Sequence, residues 1–187
     1  MTLQTGMMLL AAKMPLDMMI SKMSEGMVET LKIFFLTLLF SLPLGLVIAF
    51  GRMAKNRIIR YIVTVYIAIM RGTPLMLQVM AIYFGPNYLL HIRIPRSYRF
   101  IAIIVAFALN YAAYFAEIYR SGIESMPVGQ YEASRLLGYN KAQTFFKIIL
   151  PQVIKRILPS ITNEVICLVK DTSLAFSIAY LEMFTVA

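Results

Sequence analysis

The sequence predicts an all-α integral membrane protein, and three observations carry that expectation. Of its 187 residues, 60% are hydrophobic and 14% charged, whereas a soluble domain is nearer half apolar and a quarter charged. Its mean hydropathy is +0.74. The apolar residues gather in runs long enough for spanning helices, and the basic residues punctuate those runs. A net charge of +9 points to nucleic acid only when it clusters on one solvated face. Here the pattern is one of membrane topology, so membrane lipid is an expected partner and nucleic acid is not.

Several chemistries are excluded early. One Cys cannot form an internal disulfide, and with one His it offers no metal cluster, so no metal site is expected. No Gly-x-x-x-x-Gly-Lys-Ser/Thr phosphate loop occurs. Any ATP that drives this protein must therefore be bound by another chain, and no cofactor of its own is expected. The apolar stretch 7–12 is short and is followed by Pro15 and Asp17, which argues against a cleavable signal.

The elements follow in chain order. Residues 1–26 are rich in Met, with Lys13, Asp17, Lys22 and Glu25 interspersed. They read as an extracytoplasmic, interfacial segment, and the repeated Met leaves the true start open. A permease-like membrane domain is expected over 27–187. Residues 33–50 are uncharged, and a helix from Met27 would span roughly 35 Å. Pro43 and Gly45 lie inside it, as spanning helices allow when neighbours re-satisfy the backbone. A basic cluster of Arg52, Lys55, Arg57 and Arg60 follows. The second apolar region, 61–90, is interrupted by Arg71, Gly72, Thr73 and Pro74. A third covers 100–119, a fourth 157–169, and 172–187 forms a further apolar tail. About four to five transmembrane helices result. The Lys/Arg bias of 52–60 and 120–156 places both in the cytoplasm and the N-terminus outside, against the outer Arg93, Arg96 and Arg99.

The segment between the third and fourth regions has its own pattern. Pro127 suits a helix start. Val128, Tyr131 and Leu137, with Leu136, fall on one side, with Glu132 and Arg135 elsewhere. Gly138 suits a left-handed helix end, and Asn140 with Gln143 makes a capping box. Pro151 marks entry into the fourth region. Two short helices at a glycine bend fit an amphipathic patch on headgroups and a projection into a groove on a soluble partner equally well.

Polar residues also recur within the spans. Ser160, Asn163, Glu164, Cys167, Lys170 and Asp171 share one face of the fourth. Counted from Arg156, Glu164 lies roughly 12 Å deep and Lys170 roughly 21 Å. Charges at that depth face protein or water and suggest function. Asn110, Tyr114, Glu117 and Ser121 make a parallel stripe on the third, where Arg120 is placed to pair with Glu117 and snorkelling at the interface explains the two as well as substrate contact does. A zwitterionic amino acid needs a cation and an anion, which Lys170 and Asp171 supply beside Thr172 and Ser173. The same charges also suit neutralisation of other protein groups. Arg71, just before the kink at Pro74, suits a packing anchor or a place near a second polar surface, His91 reads as a solvated loop residue, and Cys167 as a small packing residue.

Several separated motifs resemble one family. Glu132, Ala133 and Ser134, then Gly138, then Ile148-x-Leu150-Pro151 are similar to the Glu-Ala-Ala…Gly…Ile-x-Leu-Pro loop of bacterial ABC importer permeases, with Ser134 in place of the second alanine. RGTPLMLQ at 71–78, IYFG at 82–85, NYAAYFAEIYRSG at 110–122 and VKDTSL at 169–174 resemble its polar amino acid branch, of histidine, glutamine and arginine type. The resemblance covers roughly 24–187. It implies a type I permease helical bundle in the bacterial cytoplasmic (inner) membrane, multi-pass, with a cytoplasmic coupling loop at 127–151. Tyr131, Glu132, Ala133, Ser134, Leu137, Gly138 and Pro151 would couple to an ATP-binding subunit. Substrate would be contacted by Asn110, Tyr114, Glu117, Glu164, Lys170, Asp171, Thr172 and Ser173. The implied partners are that ATP-binding subunit, a second permease (homodimer or heterodimer), and a periplasmic or extracellular amino-acid-binding protein. The chain itself would not be an enzyme. Family members continue past the position of Ala187 into a further spanning helix, which this sequence lacks. From another class, an ion-coupled secondary carrier using Glu164 and Asp171 fits the same polar stripe.

Overall fold

The computed structural model describes residues 16–91, 95 and 98–178. Among these, every regular element is helical. They are α1 (Leu16–Arg52), α2 (Arg57–Gly72), α3 (Leu75–Leu90), α4 (Tyr98–Glu124), α5 (Val128–Leu136), the single turn α6 (Lys141–Gln143), a π-helical turn (Thr144–Ile149), α7 (Leu150–Asp171) and a 3-10 segment (Thr172–Ile178). Among the described residues, two helices are long and apolar enough to cross a membrane, within Ile20–Arg52 and Tyr98–Glu124. A third span results if Arg57–Gly72 and Leu75–Leu89, bent by 108° at their break, count as one. The fourth apolar region lies in α7, where Lys155, Arg156 and Glu164 make the helix too charged for that set.

Helix α1 runs unbroken through residues 26 and 27 and through Pro43. Residues 1–15 lie outside the described ones. Of the apolar tail, 172–178 is ordered as the 3-10 segment, with Ala175 in the core. Residues 179–187, with Arg93 and Arg96, also lie outside the described residues.

Helix α4 is the central element, because small and apolar residues surround it. Ala102, Ala106, Ala112, Ala113 and Ala116 are buried along with Ile103, Phe107, Tyr111 and Phe115. In lipid there is little hydrophobic drive between helices, so close packing of small residues supplies the attraction. Helix α1 meets α4 in this way at Gly45: a Cβ there would stand 2.8 Å from Phe115 Cβ and 3.1 Å from the Ala112 carbonyl oxygen. Gly122 does the same for α7, where a Cβ would clash with Ile157 Cγ2. Helix α2 is tied to α4 by the Tyr66 hydroxyl, which donates to the Leu109 carbonyl at 2.6 Å.

The pairing of α1 and α4 is parallel, since Gly45 meets Ala112 and Phe115 while Arg52 meets Glu117. Their C-terminal ends therefore share one side, and the basic cluster at 52–60 stands on the side where the 120–156 region begins. The bend between α2 and α3 falls at Thr73 and Pro74, where the sequence interrupts the apolar run. Pro74 has no N–H to continue a helix and disfavours helical backbone at Thr73, which is extended (φ −117°, ψ 145°). His91 ends α3 in the left-handed conformation (φ 53°), exposed as a loop residue.

Candidate functional site

Two places gather the candidate residues, one within the helices and one at the basic end. The first is an open cavity of about 270 Å³ lined by Arg71, Tyr114, Glu117, Ile118, Ser121 and Glu164. Helical spacing on α4 delivers Tyr114, Glu117, Ile118 and Ser121 to one wall. The end of α2 delivers Arg71, and α7 delivers Glu164. The Arg71 guanidinium carbon stands 5.1 Å from the Tyr114 ring centroid, a cation–π contact that directs it inward.

The charges of the cavity are not equivalent. Glu117 is committed: Arg120 lies 2.6 Å from it and Arg52 3.6 Å, and Arg120 also bonds Glu124. The expected Glu117–Arg120 pair is thus present, within a four-residue network. Among the described residues, Arg71 and Glu164 have no ion-pair partner. A cation and an anion facing one cavity, neither of them in an ion pair, can receive the two ends of a zwitterion. Arg71, which the sequence leaves between a packing anchor and a place near a second polar surface, lines this cavity. The signal lay in its place one residue before a Gly-Thr-Pro break, which leaves its side chain at a helix end.

The other expected substrate residues stand apart from this cavity. Asn110 is buried at 4% exposure, and its amide donates to the Met70 carbonyl (2.9 Å) and to Gln78 Oε1 (3.0 Å). Asp171 accepts from the Tyr111 hydroxyl at 2.7 Å. Thr172 is buried and its hydroxyl donates to the Val169 carbonyl, as Ser173 donates to that of Lys170. Lys170 is exposed. The structure therefore brings Tyr114, Glu117 and Glu164 together with Arg71, and groups 170–173 at the C-terminal end of α7.

The second place is the bent pair of short helices. Helix α5 follows Pro127, which serves as its N-cap. Gly138 turns the chain with φ +80°, and Asn140 and Gln143 form a reciprocal capping box. Both features match the sequence expectation. The chain then enters a π-helical turn, where the Leu150 N–H donates to the Phe145 carbonyl. Pro151 follows at once; its ring crowds the carbonyl four residues back, and the wider π turn moves that carbonyl aside.

The two faces of α5 differ from the grouping read in the sequence. Ser134 is 1% exposed, its hydroxyl donating to the Gln130 carbonyl. Tyr131 is half-buried against a cluster of Met126, Ile149, Val153 and Ile157. These residues seat the helix on its own chain. Glu132, Ala133, Leu137, Gly138 and Pro151 are exposed. Val128, Leu136, Leu137 and Phe146 are 70%, 89%, 73% and 65% exposed. Exposed apolar side chains thus stand beside exposed Glu132, Arg135, Lys141 and Lys147, which makes this an amphipathic surface.

Comparison with known proteins identifies the family. Residues 41–184 match the model for the binding-protein-dependent transport system inner membrane component. The chain belongs to that family. It is 40% identical over 150 residues to a protein named as the glutamine transport system permease of Rickettsia bellii (strain RML369-C), covering 80% of this chain and 67% of that one. It is 38% identical over 162 residues to the L-cystine transport system permease protein of Bacillus subtilis (strain 168), covering 87% and 68%. The chain thus spans about two thirds of these permeases. The crystal structure of an amino acid ABC transporter with histidines superposes with a TM-score of 0.79 at 36% identity, covering 88% of this chain and 75% of that one. Membership in a binding-protein-dependent permease family gives no support to the ion-coupled carrier.

Proposed function

We propose that the chain is the membrane-spanning permease subunit of an ATP-driven ABC importer for polar amino acids in the bacterial cytoplasmic membrane. The observation that carries the substrate class is that Arg71 and Glu164, neither of them in an ion pair among the described residues, face one cavity. Arg71 receives the α-carboxylate with Tyr114 beneath it, and Glu164 receives the α-ammonium group. The relatives named for glutamine and cystine transport support the same class. Glu117 lines the cavity but is held by Arg120 and Arg52, so its role is to fix the wall.

The chain performs no hydrolysis itself. A separate ATP-binding subunit docks on the exposed face formed by Val128, Glu132, Leu136, Leu137 and Phe146. Tyr131 and Ser134 hold that face in place, and the Gly138 turn sets the angle between its halves. A second permease, the same chain or a sister, completes the path, and a binding protein delivers substrate from outside. The basic cluster 52–60 and the docking face lie on the cytoplasmic side by the positive-inside rule.

The energy source tests this reading. Proteoliposomes carrying the permease, its ATP-binding partner and the binding protein should take up radiolabelled amino acid with internal ATP, and continue when ionophores collapse all ion gradients. Uptake that persists without ATP and stops with the ionophores would overturn it.

A further inference from the structure

The break between α2 and α3 carries a polar arrangement that the proposed function does not use. A helix end leaves carbonyls without intrahelical partners, and at membrane depth each must find a donor within the protein. Here two side-chain amides supply them. Asn110 Nδ2 donates to the Met70 carbonyl at 2.9 Å and to Gln78 Oε1 at 3.0 Å. Gln78 Nε2 donates to the same Met70 carbonyl (2.9 Å), to the Thr73 carbonyl (3.2 Å) and to Thr73 Oγ1 (2.8 Å). The Thr73 hydroxyl donates onward to the Ile69 carbonyl at 2.8 Å. One chain of amides and hydroxyl thus runs from α4 across α3 to the end of α2.

The same face of α4 then holds the next residue. Asn110 and Tyr114 are one turn apart, so they point the same way. Asn110 fixes the carbonyl of residue 70, and Tyr114 lies under the guanidinium of residue 71. Backbone and side chain at the cavity wall are gripped from successive turns of one helix.

We infer that Asn110 and Gln78 are positioning residues: their amides latch the Thr73–Pro74 break at its 108° bend, and the latch sets where the Arg71 guanidinium stands in the cavity. The latch itself is read from hydrogen bonds alone; its consequence for substrate rests on the proposed role of Arg71. Asn110, expected from sequence to touch substrate, acts instead through Arg71.

The test uses Asn110→Leu and Gln78→Met, which keep side-chain size and remove the amides. Both are made in the full chain, with Cys167→Ser, co-purified with the ATP-binding partner in nanodiscs. Spin labels attached through Tyr61→Cys on α2 and Tyr88→Cys on α3, both exposed, report the angle of the break. A broadened or shifted distance distribution in both variants is expected, and an unchanged one overturns the latch. Binding of tritiated L-glutamine, L-histidine and L-arginine is then measured in the absence of binding protein. Each variant should weaken the best-bound of these roughly tenfold, and add little when Arg71 is already Ala. Effects that multiply with Arg71→Ala would overturn action through Arg71. Should Arg71→Ala leave all three amino acids bound as before, the substrate reading fails, while the distance distribution still decides the latch.

Discussion

Glu132→Lys is expected to reduce ATP-driven uptake at least tenfold while leaving the permease folded and inserted. Glu132 is exposed and has no ion pair among the described residues, so the folded chain loses nothing by its reversal. The cost falls on the docked partner. Placing a like charge, or stranding a partner's cation, in a desolvated interface costs about 2–5 kcal/mol. ATP hydrolysis by the assembly should persist at its basal rate and no longer follow substrate. Membrane level and melting temperature, measured beside uptake, separate this outcome from misfolding. Normal uptake by the variant would remove Glu132 from the docking face.

Arg71→Ala and Glu164→Gln should each weaken amino acid binding by about 2–3 kcal/mol, near a hundredfold, because each strands one charge of the zwitterion. Substrate-stimulated ATPase should fall while basal ATPase holds. Lys170→Ala is the informative contrast. Lys170 is exposed and lies outside the cavity, so its effect should stay below about twofold, as for surface changes generally. A titration of the three variants with radiolabelled substrate checks the order. A larger loss at Lys170 than at Arg71 would move the site to the 170–173 cluster.

The comparison between these two residues also shows what the sequence could reveal. The stripe at Tyr114 and Glu117 on α4 and the position of Glu164 on α7 follow from helical spacing alone, and the structure joins them in one cavity. Gly138 and the Asn140–Gln143 box were equally legible, because a left-handed turn and a cap are local. Arg71 was not legible as a cavity residue. Its direction depends on a 108° bend whose size is set by Asn110, a residue distant in sequence. For Asn110 and Asp171 the limit is related: a polar residue in a span announces that it needs a partner, and not whether the partner is ligand or protein. Here the partners are Met70, Gln78 and Tyr111. On α5, spacing grouped Tyr131 with Val128 and Leu137. The packing of α5 on the π turn and α7 then turned Tyr131 inward and left the other two exposed.

The exposed face at residues 128–146 is the docking site proposed for the ATP-binding subunit, and its occupant can be identified directly. A photoreactive maleimide is attached to the Leu137→Cys, Cys167→Ser permease in native membranes that also contain the ATP-binding subunit. Illumination should join the two chains in high yield, and the yield should change when ATP is added. Labelling of position 137 only by reagents confined to the outer side, or crosslinks to lipid alone, would contradict a docked ATP-binding partner.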